Sequence, residues 1–261
     1  MNCYVENLIK IAKDEIGYLE KASNNNLDSK TANAGSNNFT KYARDLDNIS
    51  GFYNGKKQGY AWCSVFVGWC FFKAFGAENA KRLLCQPDKS LGAGCEYSMK
   101  YYKINGRFRT SPTVGDQIFF KDSSGTACHT GIVYAVDKSY VYTIEGNTSS
   151  ASGVIANGGG VFQKKYSLNY NRILGYGHPA YDIAKGGTCT MELNVLRKGS
   201  KGNSVKALQI LLIGNGYSCG SAGADGDFGT STHNAVVKFQ GAKKISADGI
   251  VSAQTWSKLL K

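Results

Sequence analysis

The segment 61–76, AWCSVFVGWCFFKAFG, narrows what this chain can fold into more than any other. Apolar side chains cover nearly every side of it, so as a helix it has no face to give to water and must sit inside a domain. Ser64, Gly68 and Lys73 interrupt it, and it falls short of the roughly 20 apolar residues that a membrane-spanning helix needs. The expectation is a central buried helix that ends at Gly76. A chain of 261 residues supplies enough material to enclose it, as one large domain or two ordinary ones.

The flanking pattern indicates what surrounds that helix. Leu8, Ile9, Ala12, Ile16 and Leu19 recur near a 3.6-residue period and predict an opening helix over 5–19. A stretch rich in Asn, Ser and Gly, 23–38, reads as a long loop, and a short helical segment follows at 39–46. After Gly115 the period changes. Segments 117–120, 129–136, 140–145 and 172–176 are rich in β-branched and aromatic residues bounded by Gly, Asp or Ser, which predicts a mainly antiparallel sheet. If 129–136 and 140–147 form a hairpin around Asp137-Lys138-Ser139, opposed residue numbers sum to 276. His129 then faces Asn147 across the strands, with Glu145 two residues along on the same face. The fold class is therefore α+β.

Beyond His178-Pro179 the composition shifts. The expected division is a first domain over 1–180, a linker over 181–192 and a small helical domain over 193–261. In the last, Asn203 or Ser204 is placed to cap a helix bearing Val205, Leu208, Leu211 and Leu212. Thr230 or Ser231 is placed to cap a second with Ala235, Val236 and Phe239, and a third starts at Ser252. Asp225-Gly226 and Asp248-Gly249 recur 23 residues apart, each ahead of a helix containing Thr232 or Thr255, an internal echo of one compact module.

The net charge of +12 favours polyanions without choosing among them. Residues 1–180 carry 21 basic and 14 acidic side chains and residues 181–261 carry 10 and 5, so no basic tail forms. No aromatic-basic motif or recognition-helix pattern stands out, which argues against a specific nucleic-acid binder. The first 13 residues lack an apolar core and a small-residue cleavage site, so synthesis without a signal peptide is expected. Eight cysteines in a chain of this size are weak grounds for a disulfide framework, and Cys85 with Cys95, across a glycine-rich loop, is the most tempting pair. Three scattered histidines and no CxxC spacing argue against zinc. Asp45 and Asp47 lack the alternating acidic pattern of a calcium loop. No cofactor or metal is expected.

Cys63 is the candidate for chemistry because it falls in the first turn of the buried helix, where unpaired amides and the positive dipole end favour a thiolate. His129, near a strand start, is placed to take the thiol proton and return it to a leaving amine. Asn147 or Glu145 would then accept from the second ring nitrogen and fix the ring. Cys70, amid Trp69 and Phe71, reads as packing, and Cys128 points to the strand face opposite His129. His178 and His233 read as local structural groups.

The segments Tyr60-Ala61-Trp62-Cys63-Ser64-Val65-Phe66-Val67, Val114-Gly115-Asp116-Gln117-Ile118-Phe119-Phe120, His129-Thr130-Gly131-Ile132-Val133 and Ile144-Glu145-Gly146-Asn147-Thr148 together resemble the CHAP family. These are the cysteine- and histidine-dependent amidohydrolases and peptidases of bacterial cell-wall hydrolysis. The resemblance covers about residues 1–180 and implies a papain-like fold. It implies Cys63 as nucleophile, His129 as base, Glu145 as orienting acid and Asn147 as an additional polar partner. Ser64 departs from the Asp that relatives often carry there, and the compact acidic calcium motif of some members is missing before the cysteine.

The segments 196–209, 225–229, 235–240 and 248–251, with Thr255-Trp256, resemble the three-helix peptidoglycan-binding domain, with Leu208, Phe228, Phe239 and Trp256 as core. Ser252 departs from the glycine frequent in its second turn motif. The combined resemblance implies a peptidoglycan hydrolase of endolysin type with N-acetylmuramoyl-L-alanine amidase as the favoured activity. A stem or cross-bridge endopeptidase and a nonenzymatic wall-binding protein are the alternatives. Bacterial peptidoglycan and wall polyanions are the implied partners, with no stable membrane insertion. Manufacture in the host bacterial cytoplasm and action at the wall after release complete the expectation.

Overall fold

A computed structural model describes residues 3–87, 92–181 and 195–260. The chain divides into two compact units, 1–189 and 190–261. From residue 182 on, the expected linker lies outside the described residues.

The first unit is α+β, and the apolar segment is its axis. Helix α3 (Cys63–Phe75) is buried from Cys63 through Phe71, and Gly76 follows it at φ 76, a left-handed value that suits glycine. Helices α1 (Cys3–Asp14) and α2 (Lys41–Asp47) both pack against α3. Thr40 caps α2, its hydroxyl accepting from the Ala43 amide at 3.1 Å. From α2, Tyr42 enters a ring cluster with Tyr18, Trp62, Phe66 and Trp69. Helices α4 (Ala77–Leu83) and α5 (Cys95–Ile104) lead into the sheet.

The strands are β1 (Phe108–Arg109), β2 (Gln117–Lys121), β3 (Ala127–Val136), β4 (Tyr140–Thr148), β5 (Gly160–Ser167) and β6 (Ile173–Gly177). Every pairing is antiparallel, in the order β1-β6-β2-β3-β4-β5. Helix α3 lies on β3 and β4. Gly146 permits that contact, since a Cβ there would come within 2.5 Å of the Phe66 Cβ.

Several expectations need correction. The opening helix stops at Asp14, not Leu19. The Glu15 carboxylate turns inward to Lys41 Nζ at 2.7 Å and the Tyr42 hydroxyl at 2.8 Å, Gly17 adopts φ 85, and Leu19 bridges to Gly160. Tertiary pairing thus overrides helical periodicity. The 276 register holds at Ile132 with Ile144 and Val133 with Thr143, then shifts by one at a bulge before Ala135 with Tyr142. No disulfide joins Cys85 to Cys95; the Cys95 sulfur lies against Cys63 instead.

In the second unit, helices α6 (Asn203–Gly214), α7 (Thr230–Ala242) and α8 (Ala253–Leu259) enclose Leu208, Phe228, Phe239 and Trp256. The expected side-chain caps on α6 and α7 are replaced by Gly202 and Gly229 at the cap positions. The two Asp-Gly turns are locked alike. Gln209 Nε2 donates to Asp225 Oδ1 (2.8 Å), the Asp227 carbonyl (3.0 Å) and Thr232 Oγ1 (3.0 Å), while its Oε1 accepts from the Gly226 amide at 2.8 Å. Gln240 does the same with Asp248 Oδ1 (3.1 Å), the Ile250 carbonyl (2.9 Å), Thr255 Oγ1 (3.0 Å) and the Gly249 amide (2.9 Å). The sequence echo is therefore a repeated buried amide lock.

Candidate active site

Cys63 is the first residue of α3, preceded by Trp62, which makes no side-chain cap bond. First-turn amides thus retain capacity for an anion. Trp62 is itself fixed, its Nε1 donating to Glu20 Oε2 at 2.8 Å in a buried contact. The Cys63 sulfur lies 3.4 Å from the Cys95 sulfur at the start of α5, and the residue is only 4% exposed.

Strands β3 and β4 bring the remaining groups. His129 Nε2 lies 2.9 Å from Glu145 Oε2, and both side chains are fully buried. A carboxylate only accepts, so Nε2 carries the proton of this bond and the tautomer is fixed. Gly131, two residues after His129, makes room for the carboxylate arm, since a Cβ there would come within 2.5 Å of Glu145 Cγ. Thr143 Oγ1 donates to Glu145 Oε1 at 2.5 Å, and the Tyr166 hydroxyl donates to Oε2 at 3.2 Å. Phe120 stacks on the imidazole at 6.1 Å between centroids.

His129 Nδ1 is buried without a hydrogen-bond partner. The Cys63 sulfur and the imidazole favour each other's charged form. The Cys63 thiol is held well below its ordinary value. The Cys95 thiol donating to it is the largest cause, burial opposes, and His129 and the Ser64 amide assist. Burial alone would lower the His129 value, but Cys63 and Glu145 outweigh it and hold the imidazolium up to about 10. Both shifts favour the thiolate–imidazolium pair over the neutral one. Cys95 moves the opposite way, raised by its bond to Cys63 and by burial, and remains the neutral donor.

Of the four expected site residues, Cys63, His129 and Glu145 gather here. Asn147 stands apart: it adopts φ 56, its Nδ2 donates to Asn38 Oδ1 at 3.4 Å, and its Oδ1 accepts from the Gly159 amide at 3.3 Å. It anchors the loop leading to β5, its side-chain amide engaged by Asn38 and Gly159 and not by the imidazole. Cys128 takes the opposite side of β3, with Arg172 Nη2 3.6 Å from its sulfur. Cys70 is a buried thiol pushed up by its surroundings. His178 Nδ1 lies 2.8 Å from Asp116 Oδ1. Asp45 is engaged by Arg44 and by Trp69 Nε1, and Asp47 accepts from the Lys57 and Gln58 amides. Among the described residues, no group of three or more His, Cys, Asp or Glu side chains is placed to hold a metal ion.

Three contributors escaped the sequence reading. Thr143 carried a usable signal, since it lies two residues from Glu145 on one strand and therefore on the same face. Tyr166 sits on the unforeseen strand β5, and Cys95 starts the unforeseen helix α5; neither has a local signature.

Residues 55–147 match the CHAP domain family, and residues 201–259 match the family described as a putative peptidoglycan binding domain. A probable N-acetylmuramoyl-L-alanine amidase of Bacillus licheniformis is 44% identical over 61 residues, 23% of this chain and 17% of that protein. The zinc D-Ala-D-Ala carboxypeptidase of Streptomyces albus G is 37% identical over 71 residues, 27% of this chain and 28% of that protein. The chain thus spans less than a third of either relative. Among solved structures, a peptidoglycan-binding protein from Clostridioides difficile in complex with glutamine hydroxamate is 30% identical, with 46% of this chain and 70% of that one covered and a TM-score of 0.25. Among the described residues no helix is long and apolar enough to cross a membrane.

Proposed function

We propose that this chain, a CHAP domain followed by a peptidoglycan-binding domain, hydrolyses an amide bond of bacterial peptidoglycan with Cys63 as nucleophile. The observation that carries the reading is Cys63 at the head of a buried helix, coupled to an imidazole whose Nε2 is held by Glu145 and whose Nδ1 is free. In this reading the Cys63 thiolate attacks the amide carbonyl carbon. The resulting oxyanion gathers at the head of α3, where backbone N–H groups stabilise it. His129 gives its proton to the departing amine as the C–N bond breaks, leaving a thioester. Water then attacks as His129 takes its proton, and the acid product leaves with the thiolate restored. Glu145 orients the imidazole and stabilises its charge, with Thr143 and Tyr166 holding the carboxylate.

The favoured bond is the one between N-acetylmuramic acid and L-alanine, a choice supported by the CHAP match and by the name of the Bacillus licheniformis relative. Digestion of defined peptidoglycan, with mass spectrometry of the new ends, tests it. New muramic-acid and L-alanine termini support the amidase; a new amine and carboxylate within the stem or bridge replace it with an endopeptidase. Full lysis of purified walls by Cys63→Ala would overturn the catalytic assignment. Wall binding without release of fragments by the natural chain would leave an adhesion protein.

The proposal includes the C-terminal unit as the wall anchor, aided by the positive charge toward wall polyanions. It also includes an endolysin-like life, with manufacture in the bacterial cytoplasm and action at the wall on release. Fractionation of producing cells tests this: confinement to the cytosol until lysis supports it, and steady presence in the wall of intact cells overturns it.

A further inference from the structure

The sulfur assigned as nucleophile has a second sulfur beside it. Helices α3 and α5 begin with Cys63 and Cys95, and where their starts meet the two sulfurs are 3.4 Å apart. Ala127 is buried with the pair, and Met99 and Leu174 pack against it, so the surroundings are apolar. A further approach of about 1.4 Å would bring the sulfurs to bonding distance. Among the other described cysteines, Cys70 is buried farther along α3, and the Cys128 sulfur accepts from Arg172 Nη2 at 3.6 Å.

We propose that Cys63 and Cys95 are an oxidative modification site, closing into a reversible disulfide when the protein meets a hydroperoxide. The consequence for activity rests on the hydrolytic reading above; the bond itself does not. The Cys63 thiolate attacks one oxygen of the hydroperoxide and the O–O bond breaks. The alkoxide, or hydroxide from hydrogen peroxide, leaves and takes up a proton, and Cys63 becomes a sulfenic acid. Cys95 then gives up its proton and its sulfur attacks that of Cys63, displacing hydroxide, which departs as water. The two thiols are oxidised by two electrons and the peroxide is reduced to an alcohol and water. A dithiol reductant reverses the bond by thiol exchange. Low thiolate character at Cys95 in the resting state suits this order, because Cys63 is then the sulfur that meets the oxidant first.

Peptide mapping after alkylation, without reduction, reads the result on the full chain treated with stoichiometric hydrogen peroxide. The expected product joins the Cys63 and Cys95 peptides with the loss of two hydrogen atoms; wall lysis falls with the cross-linked fraction and returns with dithiothreitol. In Cys95→Ser, Cys63 should proceed to the sulfinic and sulfonic acids, and dithiothreitol should not restore what peroxide removed. Oxidation of Cys63 in the natural chain with Cys95 still free, pairing of Cys63 with Cys128, or a Cys63 thiol untouched by peroxide would each overturn the proposal. The map of the natural chain decides this even if the variant fails to fold. A Cys63–Cys95 cross-link that leaves lysis unchanged would uphold the disulfide and sink Cys63 as nucleophile.

Discussion

The two units bury polar groups of similar size and treat them in opposite ways. In the C-terminal unit, Gln209 and Gln240 each spend both ends of the amide on turn backbone, an Asp and a Thr. In the N-terminal unit, His129 has one nitrogen held by Glu145 and the other buried with no partner. An unmet buried polar atom costs about 1–3 kcal/mol, and Gln86 Oε1, Tyr102 OH, Thr148 Oγ1 and Tyr176 OH share that state in the same unit, so what sets the imidazole apart is the Cys63 sulfur whose charge it stabilises. The amide locks are what polar burial looks like when it serves architecture. The open nitrogen, in the same site as a thiol held below its usual range, is what the proposed hydrolysis would need: a bond left for a reacting partner.

The sharpest way to break that contrast is to truncate one member on each side. His129→Ala should lower the rate of wall hydrolysis by about 10²–10⁴-fold, read as release of soluble fragments, while binding to the same walls is kept. Loss of binding in parallel would mean that His129 is as architectural as the glutamines. The next largest effect belongs to the other unit. Gln209→Leu strands the buried Gly226 amide, while the Asp227 carbonyl keeps the Gly229 amide at 2.9 Å, and should destabilise the C-terminal unit by about 1–3 kcal/mol, measured by hydrogen exchange at its core amides. Gln240→Leu should cost the same within about 1 kcal/mol, because it makes the same set of bonds. Neither should alter turnover of a small peptide-amide substrate.

The same contrast separates what was legible in the sequence from what was not. Cys63 and His129 were legible from local rules, a helix start and a strand start; the alternating face offered Asn147 or Glu145, and the CHAP resemblance gave Glu145 the orienting role. The repeated Asp-Gly turns were visible as an echo, but the glutamines that lock them were not, since Gln209 and Gln240 lie on helices whose buried faces the apolar residues had already explained. Strand β5 was missed because Lys164 and Lys165 break its apolar look. Lys164 is nonetheless largely buried, with Nζ donating to the Ser149 carbonyl at 3.1 Å and to that of Ala151. With β5 went Tyr166, and with α5 went Cys95, so the parts of the site that only three-dimensional folding assembles were the parts that spacing could not show. Asn147 is the converse case. The ideal hairpin set it against the imidazole, whereas a left-handed backbone and its bonds to Asn38 and Gly159 turn it to holding a loop.

Smaller changes sharpen the comparison by grading how far each support reaches the imidazole. Glu145 raises the His129 value, so Glu145→Gln should move the alkaline limb of the pH–rate profile down from about 10, toward the ordinary histidine value. The sign follows from the active pair: the thiolate works with a protonated imidazole, activity falls as that proton is lost, and removing the carboxylate lets it go at lower pH. The rate below that limb should drop by roughly tenfold or more as the ring loses its orienting acceptor. An unshifted limb would detach Glu145 from the titrating group. Tyr166→Phe should do least. It removes one 3.2 Å donor from Glu145 Oε2 while the 2.9 Å bond to His129 and the Thr143 bond remain, so a loss of about 1 kcal/mol, severalfold in rate, is expected. That phenol reaches the Glu145 carboxylate from β5, whose Phe162 also pairs with Glu145 in the sheet. An effect of Tyr166→Phe as large as that of Glu145→Gln would therefore mean that the carboxylate is held from β5 more than from its own strand, and that the open nitrogen of His129 depends on a strand the sequence did not announce.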